Sequence, residues 1–353
     1  VIFGGASLPT TIDLANLGTA GIILFGADDF DRSGFSVSSA GDVNGDGFDD
    51  LLIGARSADA SGNAKSDAGD SYVIFGGASL PTTIDLANLG TAGITLFGAD
   101  AGDLSGGSVS SAGDVNGDGF DDLLIGARYA DASGNAKSDA GDSYVIFGGD
   151  FTSAITHLGT AAGETLTGTG SANVMIGGRG NDTLIGGGGA DVLTGGQGND
   201  VLAVSDLTFK RLAGGTGSDT LRLDGSGLSL NLTMLGDNRI LGIEQIDITG
   251  TGSNTLTLNQ REVLNLSDES NTLLVHGNSL DQVALLDSGW IRGSDEIINA
   301  VTYSVLTQGA ATLKVAAAIS LLTPTTIDLA NLGTAGITLF GADANDRSGF
   351  SVS

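Results

Sequence analysis

The stretch GDVNGDGFDDLLIGA, residues 41–55, returns almost letter for letter at residues 113–127. Within nine residues it carries Asp42, Asn44, Asp46 and Asp50. Clustered carboxylates repel one another, so the pattern implies something positive between them. With Asp42 as position 1, side-chain oxygens fall at positions 1, 3, 5 and 9, and the Phe48 carbonyl serves at position 7. Asp114, Asn116, Asp118, Phe120 and Asp122 repeat the set. Alternate spacing aims these groups inward on a tightly curving loop, and Gly45 and Gly47 permit the curve. Calcium takes six to eight oxygens, so one ion with waters turns the repulsion into attraction. An EF-hand would need a glutamate at position 12, where this chain has Ile53 and Ile125. The flanks read as strands, which puts the loop in a β-hairpin.

Composition points the same way. The 353 residues include 59 glycines, 3 prolines, 14 basic and 42 acidic residues, for a net charge of −28. Such a surface repels nucleic-acid phosphates and anionic membranes, so neither is an expected partner. A hydrophobic content of 41% is too high for a disordered acidic tail. With no cysteine, disulfides, thiolate zinc sites and cysteine nucleophiles are excluded, and calcium is the expected staple. The longest apolar run, residues 315–322, falls far short of the roughly 20 residues that cross a bilayer, so no membrane insertion is expected. The chain begins at Val1 without a methionine or signal peptide and ends at Ser353 inside a repeat; we expect a piece of a longer protein.

VIFGG recurs at Val1, Val73 and Val145, marking two 72-residue units in tandem, and a further copy begins with PTTIDLANLG at Pro324. Each unit offers four short strands, read in the second as 72–75, 94–97, 108–111 and 123–127. Four strands make one propeller blade. TIDLANLGTAG, with its Gly and Thr, is expected not to be helical. The units resemble the FG-GAP repeat of integrin α-subunit propellers, on the strength of SVSSAGDVNGDGFDDLLIGA followed by SYVIFGG, with Arg56 and Arg128 where the family has proline. The resemblance implies partial propeller blades with calcium in their hairpin loops.

Downstream, GGRGNDTLI at Gly177, GGGGADVLT at Gly186 and GGQGNDVLA at Gly195 are consecutive nonapeptides. GGTGSDTLR at Gly214 resumes the pattern after residues 204–213 interrupt it, and two worn frames start at Gly159 and Gly168. Two nonapeptides make one coil of a parallel β-roll, so residues 18 apart stack. Asp182 and Asp200 then share an edge and clasp an ion with turn carbonyls; Asp191 lies on the other edge above Asn173, and Asp219 belongs to the fourth frame. The stretch resembles the RTX repeats of calcium-dependent secreted bacterial proteins, which implies a calcium-binding β-roll and export through a type I secretion channel.

Alternation in LSLNLTML, IEQIDITG, NTLTL, NTLLVHG, DQVALL and TYSVLTQGAATLKV indicates further strands that prolong or cap the roll. The expected fold class is all-β, with residues 1–150 forming blades, 151–222 the roll, 223–318 its extension or cap, and 319–353 a truncated further repeat. No HExxH or GxSxG occurs, His157 and His276 read as surface or strand residues, and the hydroxyl-rich loops lack a nearby imidazole base, so no enzyme is expected. Trp290 reads as a core or capping residue. The loop acids Asp59, Asp67 and Asp70, with copies at Asp131, Asp139 and Asp142, offer a further ion site, but a solvated blade-to-blade loop is the favoured reading. The expected function is a non-catalytic calcium-binding structural or adhesive module of a large secreted or cell-surface bacterial protein, with calcium driving folding outside the cell. The expected partners are calcium, neighbouring repeats, and a cell-surface protein or glycan at the propeller face. The alternative is the accessory region of a secreted hydrolase whose catalytic domain lies elsewhere.

Overall fold

The computed structural model describes residues 1–4, 10–60, 64–131, 137–267 and 270–323. The further repeat expected at 324–353 lies outside them. In the first unit the strands Ser33–Gly41, Asp50–Ala55 and Asp70–Ile74 pair antiparallel in sequence, and Gly93–Phe97 of the second unit adds a fourth. Ser105–Gly113, Asp122–Ala127 and Asp142–Ile146 repeat the first three as a three-stranded sheet. Because strand side chains alternate between faces, Leu52 and Ile53 point opposite ways. Leu52 and Val73 join Val109, Leu123 and Ile125 in a buried cluster between the sheets. Ile53, Tyr72 and Ile74 pack under Ile22, Ile84 and Leu86 on the other face. The sheets are stacked blades, and they approach so closely at Gly54 that a Cβ there would run into the Gly106 carbonyl.

TIDLANLGTAG departs from expectation. Leu14–Asn16 and Gly18–Ala20 are 3-10 turns, as are their copies Leu86–Asn88 and Gly90–Ala92. The first turn of each pair is capped by a side chain: the Asp13 and Asp85 carboxylates accept hydrogen bonds from the Ala15 and Ala87 N–H groups at 2.9 and 3.0 Å.

From residue 157 the chain coils into a parallel solenoid. One face stacks His157–Leu158, Val174–Arg179, Val192–Gln197, Arg211–Thr216 and Ile240–Leu241. The other stacks Thr165–Thr167, Thr183–Ile185, Val201–Val204, Thr220–Leu223, Gln245–Asp247, Thr272–His276 and Ala311–Ala316. Met175 sits beside Leu193, and Leu184 beside Leu202, at the 18-residue step that two nonapeptides require. Both worn frames lie within the first coil.

Residues 204–213 do not interrupt the roll. Leu193 pairs with Leu212 and Leu202 with Leu221, so the coil continues with a 19-residue step and buries Phe209. Beyond residue 223 a third parallel face appears, built from Ser229–Asn231, Thr255–Leu258, Gln282–Leu285 and Ser320–Leu322. The hairpin of Val301–Gln308 with Ala311–Ala316 turns at Gly309 and Ala310, with Gln308 paired to Ala311. The helix Gln260–Leu266 was not expected; Asn259 caps it by accepting from the Glu262 N–H at 3.1 Å. Trp290 packs against the solenoid core and donates its indole N–H to Asp287 at 2.7 Å.

The stacked apolar column at the centre carries the roll's stability. Leu202, fully buried between Leu184 and Leu221, has no space to collapse into when truncated. Leu202→Ala is expected to cost about 2–5 kcal/mol in denaturant unfolding measured with calcium present; a loss within experimental error would mean that the column is not packed as described.

Candidate metal centres

Each acidic hairpin loop is wound by its own side chains. In the first, Asp42 Oδ2 accepts from the Gly47 N–H at 2.7 Å, Asn44 Oδ1 from Asp46 at 2.9 Å, and Asp46 Oδ1 from Phe48 at 2.9 Å. Asp42 Oδ1 is buried without a hydrogen-bond partner. Asp50 has a second task that its spacing alone did not show. Its two oxygens accept from Val43 at 3.0 Å and Gly76 at 2.7 Å, tying the loop to the end of the third strand.

The second loop repeats the design. Asp114 accepts from Gly117 and Gly119 at 2.7 and 2.8 Å, Asn116 from Asp118 at 2.8 Å, and Asp118 from Phe120 at 3.1 Å. Asp122 ties it down through Val115 and Gly148, both at 2.9 Å. In each loop the predicted side chains thus hold the loop's own backbone in its curve.

In the roll the acids form ladders along the edges. The Glu164 N–H donates to Asp182 Oδ1, the Asp182 N–H to Asp200 Oδ1 and the Asp200 N–H to Asp219 Oδ1, each at 2.7 Å. The Asp219 N–H donates to Glu244 at 2.8 Å. Asp191 stands on the opposite edge and accepts from the Asn173 N–H at 2.8 Å. One oxygen per aspartate is thus spent on pinning the carboxylate. Asp182 and Asp200 are each 1% exposed, yet their Oδ2 atoms have no hydrogen-bond partner. The leading glycine of each frame leaves room beside this atom: a Cβ at Gly177 would lie 2.7 Å from Asp182 Oδ2, and one at Gly195 would strike Asp200 Oδ2. Pinned, buried, partnerless carboxylate oxygens in an open cradle fit a hard cation. Glu244 was missed because its frame has lost the glycines that mark the others.

The FG-GAP repeat family matches residues 33–74 and 105–146, and the RTX calcium-binding nonapeptide repeat, in four copies, matches residues 167–202. The chain carries FG-GAP and RTX repeats. Integrin alpha pat-2 of Caenorhabditis elegans is 37% identical over 120 residues, 33% of this chain. Integrin alpha-5 of Xenopus laevis is 37% identical over 98 residues, 27% of this chain. The matched part spans only 8% of the length of either relative. RTX nonapeptide repeats bind calcium ions.

Among the described residues no three Asp, Glu or His side chains converge into a cluster that could hold a metal. The three aspartates of each hairpin loop do not close on one point, and the roll's acids are spaced one per frame along its edges. The two FG-GAP loops also differ in their surroundings. The first receives Arg211 from the roll, 3.1 Å from Asp49 and 3.6 Å from Asp42. Lys210 stands over the Phe48 ring, 3.2 Å from its centroid, and donates to the Asp46 carbonyl. The second loop receives Arg179, which donates to the Asn116 carbonyl.

Burial pushes the Asp50 carboxyl up to about 7, and Asp42 and Asp200 up to about 6. Burial raises Asp114, Asp182 and Asp191 as well. A carboxyl whose folded value lies above its unfolded value binds its proton more tightly in the folded state. Without metal, stability should therefore be highest below about pH 4 and fall as pH rises through about 6 to 7. Melting curves in chelator across this window should show the decline, and millimolar calcium should abolish it; a chelated chain that gains stability toward neutral pH would contradict the assignment.

Proposed function

We propose that this chain is a non-catalytic, calcium-rigidified structural or adhesive module of a large secreted or cell-surface bacterial protein, with calcium as the ligand that drives its folding outside the cell. The observation that carries the reading is the pair of Asp182 and Asp200 oxygens, buried and partnerless in a chain of net charge −28. Asp42, Asn44, Asp46, the Phe48 carbonyl and Asp50 would hold an ion in the first loop, and Asp114, Asn116, Asp118, the Phe120 carbonyl and Asp122 one in the second. Asp182, Asp191, Asp200 and Asp219 would serve the roll. An ion that binds only the folded state stabilises it by mass action, about 2.7 kcal/mol at a hundredfold excess over its dissociation constant. Low calcium inside a cell leaves the chain loose enough for export, and millimolar calcium outside closes it. The propeller face is the surface offered to a protein or glycan partner.

Both histidines are held by neighbouring polar side chains. His276 is held between Gln245 at 3.1 Å and the Tyr303 hydroxyl at 2.6 Å, and burial lowers its pKa. His157 pairs with the adjacent Thr156 hydroxyl at 2.9 Å.

Calcium titration followed by circular dichroism and melting, with chelator as control, tests the reading on the parent chain and on Asp46→Ala/Asp118→Ala and Asp182→Ala/Asp200→Ala. Calcium should order and stabilise the parent by several kcal/mol, and each pair should lose part of that gain. Equal order and equal melting in chelator and in calcium would refute it.

A further inference from the structure

The two ends of the first blade are both acidic. Asp50 starts the second strand beside the hairpin loop, whereas Asp70 pairs with Ala55 at that strand's far end and with Phe97 of the fourth strand. Around Asp70 lies a 220 Å³ cavity whose lining includes Asp28, Asp31, Asp59, Tyr72 and Phe97, with no basic side chain among its lining residues. Asp31 is fixed by accepting from the Asp28 N–H at 3.1 Å, and Asp59 by accepting from the Asp67 N–H at 2.8 Å. Asp70 is only 6% exposed, and its Oδ1 has no hydrogen-bond partner. Four carboxylates around one cavity, one of them buried with an unsatisfied oxygen, are costly unless a cation enters.

We propose that Asp28, Asp31, Asp59 and Asp70 form a second cation site in the first blade, at the opposite end of the sheet from the hairpin loop, for a hard divalent cation that keeps part of its water shell. The size of the cavity sets the hydration. A water occupies about 30 Å³, so the space holds an ion together with several waters. The carboxylates stand too far apart to grip a bare ion between three side chains, whereas calcium and magnesium both accept water among their ligands. Burial first, with repulsion from Asp31 and Asp59 as smaller contributions, pushes the Asp70 carboxyl up to about 6.

The second unit repeats the four acids as Asp100, Asp103, Asp131 and Asp142, with the same anchoring bonds from Asp100 to Asp103 at 3.1 Å and from Asp139 to Asp131 at 2.9 Å. Among the described residues its sheet has three strands, without the wall that Thr95 and Phe97 give the first.

Equilibrium dialysis with calcium, paired with melting curves, tests the site on the full chain. Asp31→Asn/Asp70→Asn should bind one ion fewer than the parent. It should melt above the parent in chelator, because repulsion is relieved, and below it in millimolar calcium, because a ligand is lost. Asp28→Asn/Asp59→Asn, at the cavity's less buried rim, should behave likewise and covers the case in which the buried pair does not fold. Terbium emission excited through tyrosine should fall in Tyr72→Phe and persist in Asp46→Ala/Asp118→Ala, which separates this site from the hairpin loops. Unchanged ion stoichiometry in both Asn pairs, or variants more stable than the parent with and without calcium, would overturn the proposal.

Discussion

A carboxylate removed from water must be met by hydrogen-bond donors, by a positive charge, or by its own proton. This chain removes many of them and supplies only 14 basic residues against 42 acidic ones. Backbone N–H groups satisfy one oxygen of most buried aspartates, through Asx-type bonds in the hairpin loops and coil-to-coil bonds in the roll. They do not satisfy the second oxygen of Asp182 and Asp200, or Asp42 Oδ1. The two repeat types thus arrive at the same arrangement from different sequences: a carboxylate pinned on one side and left open on the other. Divalent calcium is the economical completion, because a single ion compensates two charges and accepts the nearby carbonyls as well.

The same scarcity of cations explains where the few basic residues stand. Lys210, Arg211 and Arg179 project from the roll onto the tips of the two hairpin loops. Glycines make this approach feasible: a Cβ at Gly47 would lie 2.6 Å from Val192, and one at Gly45 would lie 2.8 Å from Ile176. Gly45 and Gly47 therefore serve both the curvature of the loop and its seating on the roll. The acidic tips and the roll's sheet form one joint, so ordering of one half favours ordering of the other.

What could be read from the sequence was what repeats. The 72-residue period, the nonapeptide frames and the 18-residue stacking of Leu184 on Leu202 are local regularities, and the hairpin that turns at Gly309 and Ala310 announces itself by alternation. The 3-10 turns after Asp13 and Asp85 were obscured because Gly and Thr have poor helix propensity, while the capping aspartate outweighs them over so short a turn. The helix at Gln260–Leu266 carried a cap signal in Asn259 and Glu262, but seven residues give little periodicity. Residues 204–213 looked like a break because their glycines are gone, although Leu212 keeps the apolar rung. The contacts of Lys210 and Arg211 with the first loop join residues more than 160 positions apart, and no local pattern encodes them. Of the acid quartet of the first blade, Asp59 and Asp70 stand out in the sequence as repeated loop acids, whereas the fold brings Asp28 and Asp31 to them and Phe97 from the next unit.

The central claim is that a divalent cation completes the open side of the pinned carboxylates. A high-resolution crystal structure grown in calcium, with an anomalous difference map, tests it at Asp182 and Asp200. The account predicts an ion bonded to both Oδ2 atoms at about 2.3–2.6 Å, with turn carbonyls filling the remaining positions. Ordered carboxylates bridged by water or by a shared proton, with no anomalous density between them at millimolar calcium, would contradict it.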